Sequence, residues 1–105
     1  MPINHVGISV SDIATSKAFY QAALEPLGMG VTMEVGPDQT ESKGTAIGFG
    51  AKGDNGLFWI GDNERVGEGL HVAFDADSHE QVDAFYAAAM AAGGRDNGKP
   101  GPRPH

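Results

Sequence analysis

Apolar and polar side chains alternate at the start of the chain. Val6, Ile8 and Val10 fall on one side, and His5, Gly7 and Ser9 on the other. A period of two predicts a strand with one buried face. The period then lengthens: Phe19, Tyr20, Ala23, Leu24 and Leu27 share one face of a helix, which Asp12 opens and Pro26-Leu27-Gly28 ends. Three short apolar runs follow, at 31–35, 45–49 and 57–60. Gly36-Pro37-Asp38 and Lys52-Gly53-Asp54-Asn55-Gly56 separate them as turns.

The opening pattern then returns. Val72, Phe74 and Ala76 alternate with His71, Ala73 and Asp75, predicting a second half-buried strand. A helix follows, with Ser78 as N-cap, Gln81 closing a capping box, and Val82, Phe85, Tyr86, Ala89 and Met90 on one face. Gly93-Gly94 ends it. The two stretches align without a gap at a constant spacing of 66 residues. His5-Val6 pairs with His71-Val72, Ala18-Phe19-Tyr20 with Ala84-Phe85-Tyr86, and Ala22-Ala23 with Ala88-Ala89. The chain is a duplication. Residues 1–66 read as one β-α-β-β-β module and residues 67–105 as an incomplete second, together one α+β domain.

The second module has no pattern for its last three strands. Residues 93–105 are rich in Gly and Pro and include Arg95, Lys99 and Arg103. Two readings stand at this point: a domain that ends in an irregular tail, or a sequence clipped inside an interior loop. On the second, the sheet has an open edge and exposed apolar surface, and completion by a partner chain is a further expectation.

Composition narrows the chemistry. The 105 residues carry 14 acids against 7 bases, a net charge of −7, without the clustered cations that nucleic-acid binding requires. With no cysteine, a disulfide scaffold, a thiol nucleophile and a thiolate metal site are all excluded. No apolar run has the roughly 18 residues of a membrane helix, and Met1-Pro2-Ile3-Asn4-His5 lacks a signal-peptide pattern, so a cytoplasmic protein is expected.

His5 and His71 stand at equivalent positions, each on the polar face of its strand. If a pseudo-twofold axis relates the modules, both imidazoles turn towards one cavity. Two neutral imidazoles with a carboxylate suit a divalent Fe, Mn, Zn or Ni. Trp59 and, on the neighbouring strand, Phe49 are candidates for an aromatic substrate wall or for the core. His79, in a helix's first turn, reads as solvated.

These residues also carry a family resemblance. His5-Val6, Ser11-Asp12, Leu70-His71-Val72-Ala73-Phe74, the two Ala-Phe-Tyr triplets and Gly98-Lys99-Pro100-Gly101 are similar to the vicinal oxygen chelate superfamily. That superfamily includes glyoxalase I, extradiol dioxygenases, fosfomycin resistance proteins and metal-free bleomycin resistance proteins. The resemblance implies tandem β-α-β-β-β modules forming a curved mixed sheet around a cavity. It implies a divalent metal held by His5 and His71, which would chelate adjacent oxygens of a substrate in lyase, isomerase or dioxygenase chemistry. A homodimer is implied as well. One departure is visible: a further ligand in metal-using relatives, a glutamate in glyoxalase I, falls near Trp59. The resemblance therefore also admits a metal-free protein that sequesters a drug or metabolite, for which an acidic surface suits a cationic ligand.

Overall fold

The computed structural model describes residues 3–39, 43–54 and 56–102. It contains four strands and two long helices: β1 (Val6–Ser9), α1 (Ile13–Leu24), β2 (Met29–Val35), β3 (Ala46–Ala51), β4 (Phe58–Gly61) and α2 (His79–Ala91). The strands form one mixed, unclosed sheet in the order β1-β4-β3-β2. β1 runs parallel to β4, while β4 with β3 and β3 with β2 are antiparallel. The α+β class and the β-α-β-β-β order of the first 66 residues match the sequence pattern.

Local chemistry sets the helix boundaries. Asp12, extended at φ −135°, caps α1 by accepting from the Thr15 amide at 3.0 Å. Ser78 does the same for α2 through Gln81 at 3.1 Å. After α1 a 3-10 turn over Glu25–Leu27 ends at Gly28, whose φ of +78° disfavours a residue with a side chain. α2 closes similarly: Gly93 has φ +104° and Gly94 donates to the Ala89 carbonyl at 2.8 Å.

The core lies between α1 and one face of the sheet. Leu24, Ile47, Phe49, Phe58 and Ile60 are fully buried, with Ile8, Val31, Val72, Phe74 and Phe85 packed around them. Phe58 is the hub: its ring lies 5.0 Å from Tyr20 and 5.1 Å from Phe74, both near edge-to-face. One ring thus ties the sheet to α1 and to the segment leading into α2. Burial of Tyr20 raises its hydroxyl pKa above the ordinary value.

The expected second strand is corrected here. Residues 70–76 have no strand partner among the described residues. Their side chains nonetheless keep the predicted alternation, with Val72, Phe74 and Ala76 half-buried and His71, Ala73 and Asp75 exposed. A strand requires a neighbour for its backbone donors and acceptors. β1 finds one in β4; the later segment finds only side-chain contacts. The face of α2 is correspondingly less covered than that of α1: Ala89 is buried, while Val82 is 39% exposed.

Two outcomes follow. Phe58→Ala should cost about 3–5 kcal/mol in denaturant unfolding, because the ring fills a site with no access to water. The capping bond from the Thr15 amide holds the Asp12 carboxyl below its ordinary pKa. A depressed folded pKa means that the stabilisation is present above the unfolded value and lost as pH falls through the folded one. Helicity of wild type should therefore fall with acid more than that of Asp12→Asn, which keeps the cap without the charge; circular dichroism against pH reads this.

Candidate ligand site on the open sheet face

Strand alternation assigns two different roles to the same sheet. On β3 and β4, Ile47, Phe49, Phe58 and Ile60 point to the helices, leaving Gly48, Gly50, Trp59 and Gly61 on the other face. Trp59 sits centrally in this second set. Gly7 of β1 is its neighbour on one side and Gly48 of β3 on the other, both directly in register.

The glycines make the site possible. A Cβ at Gly48 would stand 2.9 Å from Cε2 and Cζ2 of Trp59, inside any allowed contact. One at Gly56 would stand 3.1 Å from the same two atoms and from Nε1. The indole is therefore laid across β3 in a cradle that only residues without side chains provide. Gly56 has φ +94°, so its conformation and the close approach both favour glycine. On the other flank, a Cβ at Gly7 would sit at an ordinary 3.6 Å from the Trp59 Cβ.

Beside this ring lies an open hollow of about 220 Å³, lined by Gly7, Ser9, Thr45, Trp59, Asn63 and Glu64, among others. Asp62 shapes its margin by accepting from the Thr45 amide at 2.8 Å. Glu64 is the one charged residue among the described lining residues.

The remaining sequence candidates are placed as follows. His5 is exposed just before β1, in phase with Gly7 and Ser9, with Nδ1 2.8 Å from Asn4 Oδ1. If Nδ1 is the donor of that bond, Nε2 carries the free lone pair. His71 is exposed in the segment without a strand partner, and His79 is exposed at the start of α2. Among the described residues no group of three or more His, Cys, Asp or Glu side chains could hold a metal ion. Phe49, a candidate for the substrate wall, is buried in the core with its ring 6.0 Å from that of Tyr20. The cause is phase: Phe49 pairs with Phe58, whereas Gly48 pairs with Trp59. Gly48, Gly56 and Glu64 were not candidates from the sequence, and only the alternation of Gly48 and Gly50 with Ile47 and Phe49 pointed to a glycine face.

A larger groove, about 580 Å³, lies on the helix side between α2 and the core, lined by Ile8, Phe58, Val72, Phe74, Phe85 and Met90, among others. Its size exceeds that of the hollow; its walls are mainly the apolar faces of the fold's own elements, with Tyr86, Arg95 and Asn97 among them, and neither His5 nor His71 lines either cavity. The half-buried Trp59 and the polar residues Ser9, Thr45, Asn63 and Glu64 meet at the smaller hollow on the opposite side of the sheet, which is where we place the site.

The chain is a mixed sheet in β1-β4-β3-β2 order under capped helices, with glycines and Trp59 on its open face. Residues 2–105 match the Glyoxalase/Bleomycin resistance protein/Dioxygenase superfamily, and the chain belongs to it. Among solved structures it is similar to a glyoxalase/bleomycin resistance protein from Albidiferax ferrireducens T118. The two are 30% identical with a TM-score of 0.67, over 95% of this chain and 77% of that one. No curated protein matches the chain.

Gly48→Ala tests the cradle. The added methyl must displace the indole, so the near-UV circular dichroism of Trp59 should change and stability should fall by about 1–3 kcal/mol. Gly7→Ala, with its ordinary contact, should leave the spectrum intact.

Proposed function

We propose that the chain is a small-molecule binding module of the glyoxalase/bleomycin resistance type, whose ligand lies on the open sheet face against Trp59. The observation that carries this is the seating of a partly exposed indole across Gly48 and Gly56, beside a hollow that Ser9, Thr45, Asn63 and Glu64 help to line. An aromatic face held rigidly at a concave surface gives a planar ligand contact area at little entropic cost. The hollow is smaller than the roughly 300–1,000 Å³ of drug-sized pockets, so it suits a bicyclic ring system or one arm of a larger molecule.

Metal-dependent lyase or dioxygenase chemistry is the other activity the family resemblance suggests, with His5 and His71 as ligands. The described residues do not fit it as they stand. They assemble no group of three or more donors, and Trp59 offers a π face with no lone pair for a cation to coordinate. On this reading His5 stands two residues before Gly7 on the same strand face, outside the residues that line the hollow.

Trp59 is the sole tryptophan of the chain, so its fluorescence reports this site alone. A library of small aromatic metabolites and drugs, screened by fluorescence quenching and thermal shift, should yield ligands. Trp59→Leu should lose them while retaining the helical circular dichroism of wild type. Ligands that bind Trp59→Leu as well as wild type would contradict the proposal. Binding that requires added Mn²⁺, Ni²⁺ or Zn²⁺ and disappears in both His5→Ala and His71→Ala would favour the metal chemistry instead.

A further inference from the structure

We infer that Asn97 is a modification site, deamidated by cyclisation onto the Gly98 backbone at a rate that the Asp96 carboxylate holds down. Asn is followed by Gly twice in the chain, at Asn55-Gly56 and Asn97-Gly98, and Asn55 lies outside the described residues. Glycine is the follower that favours this reaction, because it has no side chain to crowd its own nitrogen. Asn97 and Gly98 are both exposed, so water reaches the side-chain amide.

The step balances without a cofactor. The Gly98 nitrogen gives up its proton and attacks Cγ of Asn97, forming a C–N bond. The side-chain amide nitrogen takes up a proton and leaves as ammonia, and a five-membered succinimide closes. Water then opens the ring at one of its two carbonyls, leaving aspartate or isoaspartate at position 97. The sum is amide plus water giving acid plus ammonia. The product sets a new carboxylate beside Asp96, and as isoaspartate it adds one carbon to the main chain of the turn.

The turn holds the attacking nitrogen back. Gly98 donates its N–H to Asp96 Oδ1 at 2.9 Å, a charge-assisted bond across two residues. That proton must leave before the nitrogen attacks. The carboxylate both retains it and repels the negative charge that its loss creates. Gly98 has φ +129°, a conformation that favours glycine, so the guarded turn and the reaction require the same residue. Asp96 is itself placed by the fold: partial burial, and then the charge of Asp96, raise the hydroxyl pKa of Tyr86 on α2. Just upstream, Gly94 donates to the Ala89 carbonyl at 2.8 Å, and a Cβ there would stand 3.2 Å from Phe19 Cε1. The turn is thus anchored at the end of α2 against α1. Conversion of Asn97 also brings a negative charge to the larger groove, where Arg95 is the single charged side chain among the described lining residues.

The test incubates the full chain at pH 8, native and unfolded in guanidinium, and follows both Asn-Gly pairs by peptide mapping with mass spectrometry. Asn97 should convert in the native chain roughly three- to ten-fold more slowly than in the unfolded one, the effect of one surface hydrogen bond to a charged group. Asp96→Ala should raise the native rate to that of the unfolded chain. Asp96→Asn, which keeps an oxygen acceptor without the charge, should fall between. Both variants should keep the helical circular dichroism and the Asn55 rate of wild type, which separates loss of the guard from loss of the fold. Asn97 intact in native wild type and in Asp96→Ala alike overturns the site. Equal native and unfolded rates overturn the guard. A rate in Asp96→Ala below that of wild type overturns it as well, by making Asp96 the base that assists the reaction.

Discussion

Phe58 and Trp59 are adjacent in the chain and lie on opposite faces of one sheet, and the rest of the structure depends on that opposition. The backbone of β4 cannot place both rings on one side, because successive side chains in a strand alternate. Phe58 goes to the helices, where Tyr20, Phe49 and Phe74 close around it. Trp59 goes to the other face, where glycines at register positions on both neighbouring strands leave it room. A one-residue slip of β4 against β3 would turn the indole into the core and expose Phe58. The fold and the site are thus fixed by the same register.

The same register accounts for Gly48, one of the chain's 16 glycines. Glycine in a strand interior weakens it, through backbone entropy and the absence of a side chain to pack. On β3 that cost is offset on the open face by the indole, which covers the bare backbone of Gly48 and occupies the space its side chain would have filled. The face that results carries Trp59 among glycines, with Ser9, Thr45, Asn63 and Glu64 around the hollow beside it. The helix-side groove, by contrast, is bounded mainly by the apolar sides of β1, α1, α2 and the 70–76 segment.

Much of this was legible before any coordinates. The period-two and 3.6-residue patterns located both helices, their Asp12 and Ser78 caps, and β1, because each is specified by residues near in sequence. The three later strands were found to within a few residues from turn chemistry. Residues 70–76 show where local pattern stops: their side-chain alternation is that of a strand, but ladder formation depends on a neighbour that periodicity does not encode. Phe49 stayed open between a substrate wall and the core for a different reason. Nearness to Trp59 does not decide its face; phase does, and Phe49 is in phase with Ile47 in the core. Gly48 and Gly56 carry no side-chain signal at all, and Glu64 sits in a polar connection that sequence reading treats as a linker. Their roles emerge only once β3, β4 and the loop between them are set side by side.

The account stands on the indole of Trp59 lying on Gly48 and Gly56 at the open face. Nuclear Overhauser contacts from the indole protons measure that arrangement most directly. The account predicts contacts from Hζ2 and Hη2 of Trp59 to the α-protons of Gly48, and from Hε1 and Hζ2 to those of Gly56. Contacts from the indole to Leu24 or to the Tyr20 ring, in place of these, would put Trp59 in the core and contradict it.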